Sequence, residues 1–155
     1  MAREQKTFKV EGARLIFKNF SGKIGPYNAT GAKQFCVIVS EEDALALNEI
    51  GWNAKQLKSR EEGEPGDWYV EVTVKFDIKP PRIVMISSRS RTTLTEKTVE
   101  VLDYADMKNV DLICNGYEWN VNGKDGITAY LKTMFVTVNE DDLERKYADV
   151  LEELT

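Results

Sequence analysis

Residues 110–138, VDLICNGYEWNVNGKDGITAYLKTMFVTV, have the pattern of two long β-strands joined by a tight turn. The turn segment, residues 122–126 (NGKDG), is typical of a β-hairpin, because asparagine and glycine accept the positive φ angles that tight turns require. Apolar residues fall on even positions before Gly116 and on odd positions after it. This change of parity predicts a β-bulge near Gly116, with the second strand following over residues 127–138.

Shorter strands are predicted before this hairpin, because several segments alternate between apolar and polar residues or form short apolar runs. They cover residues 8–20, in which Ala13, Leu15 and Phe17 share one face, and residues 35–39, 68–76 and 83–86. Two turn-rich loops, residues 21–31 and 61–67, separate some of these strands, and Pro80-Pro81 breaks the chain before the last.

One internal helix is predicted after the strand at residues 35–39. Ser40 followed by Asp43 is a variant capping box, and Gly51 is a natural helix stop. The apolar side of this helix would consist of Ala44, Leu45, Leu47 and Ile50.

These elements predict a mainly β fold, an OB-fold-like antiparallel β-barrel with one inserted helix and a C-terminal helix. Long strands, a bulge and a helix inserted midway are more typical of a small barrel than of a β-sandwich, which stays the alternative. This OB-like domain would occupy residues 1–138. Residues 139–155 carry apolar residues at helical spacing and are interpreted as an acidic amphipathic C-terminal helix or tail.

The net charge of −5 is concentrated at one end of the 155-residue chain. Residues 139–155 contain seven acids and two bases, a charge of −5, and the remainder has 19 bases and 19 acids. A body that is neutral in sum can still carry a basic groove, and an acidic tail can compete for it. A solvated helix explains the same tail without any partner.

Cysteine use and hydropathy favour a cytoplasmic protein. Cys36 and Cys114 lie in apolar runs, where a thiol is usually a small buried hydrophobic group. Two cysteines without a signal peptide are typical of a reducing compartment. No apolar run is long enough to span a membrane, so we expect no membrane partner.

No sequence motif supports an enzyme activity. The chain has no histidine, and its two cysteines cannot make a recognisable zinc site. Phosphate-loop and nucleophile-elbow patterns are absent. Asp103, Asp106 and Asp111 could hold magnesium in a nuclease, but they are more typical of turns and caps around a short helical piece at residues 104–107. We therefore expect no enzyme activity, cofactor or metal.

Basic and aromatic residues are mixed on the predicted loops and outward strand faces. Cations that follow phosphates, with flat rings on which bases stack, are what a single-strand binding groove needs. The candidate phosphate contacts are Lys18, Lys23, Lys33, Arg89, Arg91, Lys124 and Lys132, and the candidate stacking residues are Phe20, Tyr27, Tyr117, Trp119 and Tyr130. The groove would lie between the loop at residues 18–33 and the hairpin at residues 117–132.

Structural explanations exist for some of these residues. Strand aromatics are often core or rim residues, and we assign Trp52 and Trp68 to packing. Arg89 and Arg91 could pair with Glu96 or Glu100 on a surface turn.

Five strings, taken in order, resemble a family of bacteriophage single-stranded DNA-binding proteins. They are ARLIFKNFSGK (13–23), GWNAK (51–55), PPRIV (80–84), SRSRTTL (88–94) and YEWNVNGK (117–124), and the similarity runs from about Gly12 to Asp149. The resemblance implies an OB-fold and sequence-tolerant binding of single-stranded DNA during phage replication or recombination. It also implies an acidic tail that contacts replication or recombination proteins.

The end of the chain departs from the tail known in bacterial single-strand binders, since it reads EELT without a final aromatic residue. Its apolar spacing is also compatible with a helix that forms a homodimer. Two further alternatives stay open. One is an RNA-binding OB domain, and the other is a protein-interaction module whose aromatics, including Tyr27, Tyr117, Trp119 and Tyr130, are buried.

Overall fold

The computed structural model describes residues 7–26, 28, 30–58, 63, 65–77, 79–87 and 90–138. Within these residues, one α-helix, α1 (Glu41–Glu49), and a short 3-10 helix (Val99–Asp103) accompany nine strands. The strands are β1 (Thr7–Val10), β2 (Leu15–Asn19), β3 (Lys33–Val39), β4 (Ala54–Gln56), β5 (Trp68–Val74), β6 (Arg82–Ile86), β7 (Arg91–Leu94), β8 (Met107–Val121) and β9 (Lys124–Val138).

The hairpin of β8 and β9 is the longest pairing in the sheet, and each strand has 15 residues. Val121 pairs with Lys124, so the connection is a two-residue turn made by Asn122 and Gly123. Their φ angles of 53° and 79° are those of a tight hairpin turn. The predicted hairpin is confirmed, but its second strand begins at Lys124 rather than at residue 127.

The predicted bulge lies on β9, not near Gly116 on β8. Ile113 pairs with Thr133 and the next residue, Cys114, pairs with Leu131, which leaves Lys132 as an extra residue. We call this feature the Lys132 bulge. The buried positions of β9 change accordingly from odd to even numbers across Lys132, whereas those of β8 keep one parity.

Gly116 has a different structural role from the one predicted. A methyl group on its α-carbon would lie 2.7 Å from the Trp52 ring and 2.8 Å from the Ile127 side chain. Glycine therefore makes room for Trp52, which is 4% exposed and packs against Phe8. The assignment of Trp52 to packing is confirmed.

All nine strands belong to one sheet, with the order β1-β8-β9-β5-β3-β2 and with β4, β6 and β7 attached beside this path. The mainly β fold with one internal α-helix is confirmed and agrees with an OB-like barrel. Two pairings differ from the antiparallel prediction, because β9 runs parallel to β5 and to β6. The order ends at β1 and β2, so the described strands form an open sheet.

One buried cluster fills the inside of this sheet, and β3 to β9, α1 and the 3-10 helix all contribute to it. Val70, Val72 and Val74 of β5 point into the cluster, as their alternation predicts. We call this side of the sheet its inner face and the opposite side its outer face. Among the described residues, no helix has the length and apolar character to cross a membrane.

The internal helix begins as predicted, since the Ser40 hydroxyl oxygen accepts a hydrogen bond from the Asp43 amide at 3.1 Å. It ends before Gly51, whose φ of 98° few other residues tolerate. Only part of its predicted apolar side is buried. Ala44 and Leu47 lie in the core, whereas Leu45 and Ile50 are exposed.

The strand predicted over residues 8–20 is two strands, β1 and β2, interrupted at Gly12 with φ 60°. Phe17 does not share the inward face with Ala13 and Leu15, because its side chain is 64% exposed. The helical piece predicted at residues 104–107 is also misplaced. The 3-10 helix ends at Asp103, and Met107 already begins β8.

Three predicted features fall partly or wholly outside the described residues. They are the C-terminal helix or tail at residues 139–155, part of the loop at residues 61–67, and the side chains of Tyr27 and Arg89.

Both cysteines are buried, as predicted, and burial raises the pKa of each thiol to about 12, with the Glu71 carboxylate adding to the effect at Cys36. The reactive thiolate is therefore scarce at pH 8. In the native protein we expect both thiols to react with a disulfide reagent at least about 100-fold more slowly than in the urea-unfolded chain, whose thiols have ordinary pKa values. Equal rates in the two states would contradict the buried positions of Cys36 and Cys114.

Ile83 is fully buried where β6 lies between β7 and β9, so Ile83→Ala removes packed atoms from the centre of the core. We expect a loss of about 2–5 kcal/mol in the free energy of unfolding, measured by urea denaturation. The matched control is Ile24→Ala, at a side chain that is 77% exposed, with an expected change within about 0.5 kcal/mol. Similar losses at both positions would place the core elsewhere.

Candidate nucleic-acid interface

A groove of about 810 Å³ opens on the outer face, between the end of β5 and the β8–β9 hairpin. We call it the lysine–tyrosine groove. Its lining includes three cationic side chains, two aromatic rings and one acid, namely Lys75, Lys79, Lys132, Tyr117, Tyr130 and Asp77. The cations outnumber the acid, so the groove has an excess of positive charge.

The two tyrosines stand next to each other because of the strand register. Asn115 pairs with Tyr130, which puts Tyr117 two residues further along the same face. The ring centroids are 6.3 Å apart and the rings are inclined at 74°, an edge-to-face contact. Tyr117 is 63% exposed, and Tyr130 is half-buried. The exposed ring of Tyr117 therefore offers a flat apolar surface that its neighbour holds in place.

The lysines reach the groove from two strands that run parallel. Thr73 of β5 pairs with Tyr130 of β9, so Lys75 and Lys132, each two residues further on, follow on the same side of the sheet. Lys132 is the extra residue of the bulge and is exposed. Lys75 keeps 48% of its side chain exposed although its Nζ lies 3.9 Å from Asp77, so this ion pair leaves it accessible.

Trp119 lies beside this groove rather than in it. Its indole covers Gly126, the residue opposite it on β9, and leaves 38% of the side chain exposed. A second depression of about 450 Å³ is lined by Trp119 together with Glu71, Thr73 and Asp125. Because two carboxylates border it, this depression suits an uncharged ring better than a phosphate.

Three of the residues predicted as ligands have structural partners instead. The Lys18 ammonium group donates to the carbonyl oxygens of Leu102 and Ala105 at 3.1 and 3.4 Å. The Lys33 ammonium group donates to those of Phe20 and Ser21 at 3.1 and 3.4 Å. Phe20 itself is 0% exposed and stacks on Phe35 in the core, so its ring cannot receive a base here.

Lys23 is exposed but lies apart from the lysine–tyrosine groove. Its ammonium group donates to the Tyr104 hydroxyl at 3.1 Å, and this contact raises the pKa of Lys23. Among the residues at 18–33 that the structure describes, none lines the lysine–tyrosine groove, so the predicted groove between this loop and the hairpin stays a prediction.

The remaining predicted residues are dispersed. Lys124 is exposed at the hairpin tip, and Arg91 is exposed on β7, which pairs with β6. Within the part of the chain that the structure describes, Arg91 makes no ion pair with Glu96 or Glu100. Tyr27 and Arg89 lie outside the described residues.

Lys75 and Lys79 were missed in the sequence. Lys75 lies on the polar face of the 68–76 alternation, so its outward direction could be predicted. Its proximity to Tyr130 could not, because that contact depends on a parallel pairing between residues more than fifty positions apart.

Two of the three aspartates considered for magnesium accept hydrogen bonds from the backbone. Asp103 accepts hydrogen bonds from the Phe20 and Ser21 amides at 2.6 and 3.1 Å. Asp111 accepts one from the Gly12 amide at 2.9 Å. Across the described ranges, no group of acids or cysteines is arranged to hold a metal ion.

A mainly β sheet that presents exposed rings beside lysines is typical of modules that bind single-stranded nucleic acid. A sequence profile of the family described as "Putative phage ssDNA-binding domain" matches residues 1–153. The chain belongs to this family, as its resemblance to phage single-stranded DNA-binding proteins implied. No curated protein sequence matches it.

Solved structures show the same fold. The single-stranded DNA-binding protein from bacteriophage Enc34 aligns with a TM-score of 0.55 at 10% identity, over 88% of this chain and 83% of that chain. The same phage protein in complex with ssDNA aligns at 0.56 and 10% identity, over 89% of each chain. Its C-terminal truncation aligns at 0.54 and 11% identity, over 89% of this chain and 87% of that chain.

The contact between Trp119 and Gly126 gives a direct test of the hairpin geometry. A methyl group at Gly126 would overlap the indole, so Gly126→Ala should push the ring towards water. We expect tryptophan emission to shift to longer wavelength. The control Gly25→Ala places its methyl group in open space and should leave the emission unchanged. A Gly126→Ala shift that persists in a Trp119→Phe background would refute the assignment to Trp119.

Proposed function

We propose that this chain binds single-stranded DNA with little dependence on base sequence, through the lysine–tyrosine groove. The observation that carries the proposal is the exposed Tyr117 ring, held by Tyr130 in a groove that also contains three lysines. The family to which the chain belongs and the ssDNA complex of the Enc34 protein with the same fold support it.

Binding would divide between the two kinds of side chain. Lys75, Lys79 and Lys132 would neutralise phosphates and release counterions, which makes affinity depend on salt. The tyrosine rings would stack with bases, at about 1–3 kcal/mol per base, and stacking accepts any base because each has a flat face. Duplex DNA keeps its bases stacked inside, so it cannot use the rings and should bind more weakly.

The exposure of the aromatics favours this function over a protein-interaction module. That alternative requires Tyr117, Trp119 and Tyr130 to be buried, whereas the first two are 63% and 38% exposed and Tyr130 is half-buried. We further propose that the protein acts without catalysis, in the host cytoplasm during phage replication or recombination. Residues 139–155 would then contact replication or recombination proteins or a second copy of the chain.

Replacing the groove lysines tests the proposal. The triple variant Lys75→Ala, Lys79→Ala, Lys132→Ala should weaken binding of a labelled oligo-dT and flatten its salt dependence. The slope of log K against log salt is negative, and each lost phosphate contact reduces its magnitude by about 0.7. The loss of three contacts should therefore reduce the magnitude by about 2. The measurement is fluorescence anisotropy at a series of salt concentrations, with a duplex and an RNA of equal length as competitors.

The matched control removes the same charge from exposed lysines that do not line the groove, at Lys58, Lys97 and Lys108. We expect the slope of this control to stay close to that of the unmodified protein. Equal changes in both triple variants would mean that net charge, not the groove, drives binding. Displacement by RNA at lower concentration than DNA would favour an RNA-binding domain.

A further inference from the structure

A second exposed ring, Phe17, lies on the outer face because β2 contains a bulge. Ile16 pairs with Cys36, but Asn19 pairs with Gln34, so β2 has one more residue than β3 over this interval. Without the extra residue, Phe17 would continue the inward face of Leu15. The bulge turns its ring outward instead, and 64% of the side chain is exposed.

The backbone of Phe17 is strained to achieve this. Its φ of 51° is in the left-handed region, where a bulky residue is rare and glycine is the usual choice. An exposed phenylalanine gains little from burial that could offset this strain. Residues held in such conformations concentrate at binding sites, so the strain and the exposure point in the same direction.

Phe17 is held in place by a second ring. Tyr69 of β5 contacts it edge to face, with ring centroids 6.2 Å apart and an angle of 80°. Tyr117 and Tyr130 make the same type of contact in the lysine–tyrosine groove, at 6.3 Å and 74°. In both pairs one ring is more than 60% exposed and its neighbour is half-buried.

The two ring pairs are joined by one strand. Tyr69 and Thr73 lie on the outer face of β5, Lys75 follows directly after the strand, and Thr73 pairs with Tyr130. Thr73 is four positions after Tyr69, a distance of about 13 Å at the usual rise of a strand. The depression beside Trp119, lined by Thr73 and Glu71, lies along this path. A strand of nucleic acid in the groove could therefore continue over β5 to Phe17.

Among the described residues, the charges around Phe17 and Tyr69 are balanced, unlike those of the groove. The Arg14 guanidinium group lies 3.8 Å from the Asp67 carboxylate. Lys55 of β4 pairs with Tyr69, and Glu71 is two residues after Tyr69 on the same face of β5. Such a surface attracts phosphate only weakly. Its rings can still stack on bases.

We propose that Phe17 and Tyr69 form a second stacking site, which binds unpaired bases of the same strand beyond the lysine–tyrosine groove. This inference rests on the proposed function. The groove would bind both phosphates and bases, whereas the second site would bind bases alone. The contribution of Phe17 to the binding free energy should therefore not depend on salt.

The test measures the affinity of Phe17→Gly for oligo-dT of about 4 and about 16 nucleotides, the range of sites known for OB folds. We expect the longer oligonucleotide to bind Phe17→Gly roughly 5-fold to 100-fold more weakly than it binds the unmodified protein, with an unchanged salt slope. Binding of the shorter one should stay the same. Phe17→Tyr, which keeps a ring, should retain the affinity for both.

Stability separates a binding role from a structural one. Glycine relieves the strain at φ 51°, so the urea midpoint of Phe17→Gly should equal or exceed that of the unmodified protein. A lower midpoint together with unchanged affinity would show that Phe17 is structural and overturn the inference. The control Tyr104→Ala removes a ring that is 75% exposed outside this path and should leave both affinities unchanged.

The two proposals can fail separately. If the unmodified protein binds neither oligonucleotide, the proposed function is wrong. If it binds both, and the groove lysines change the salt slope while Phe17→Gly has no effect at either length, only the second stacking site is wrong.

Discussion

The Lys132 bulge is the feature on which the sheet and its outer surface both depend. β9 pairs with β5 at residues 129–130 and with β6 from residue 133 onwards, and the extra residue lies between these two contacts. One added residue thus lets a single strand change neighbours while its apolar side chains keep pointing inwards on both sides of the change. The extra residue, Lys132, is also one of the three groove lysines. The bulge that lets β9 complete the core therefore also places a cation beside Tyr130.

Lysine position matters more than lysine number in this molecule. Lys18 and Lys33 have the same charge as Lys75 and Lys79, but their ammonium groups already satisfy backbone carbonyls of neighbouring segments. Moving either to a phosphate would leave those carbonyls without a partner, and a buried acceptor left unpaired costs about 1–3 kcal/mol. The lysines that follow β5 and the lysine in the bulge have no such carbonyl contacts among the described residues, so phosphate binding there would compete with the Lys75–Asp77 ion pair rather than with the backbone.

Local chemistry made much of the fold predictable. Ser40 and Asp43 set the start of α1, Asn122 and Gly123 set the hairpin turn, and the valines of β5 gave its inner face. What could not be predicted depends on distant partners. The bulge was placed at Gly116 because residues 117–121 break parity there, but those residues extend beyond the core and are exposed on both faces. Of the site, Tyr117, Tyr130 and Lys132 were found as candidates, whereas Lys75, Lys79 and Phe17 required the parallel pairing of β9 and the irregular register of β2.

The parallel pairings of β9 also have a consequence for how the chain reaches its structure. β9 is the last of the nine strands in chain order, yet it closes the edges of β5 and β6, which are made some fifty residues earlier. During synthesis the edge of β5 stays unpaired until residues 129–130 have left the ribosome, and that of β6 until residues 133–137 have followed. Non-local pairing of this kind slows folding and exposes strand edges that can associate between chains. A cell that makes the protein in large amounts therefore has to protect the nascent chain for as long as the ribosome needs to reach the end of β9.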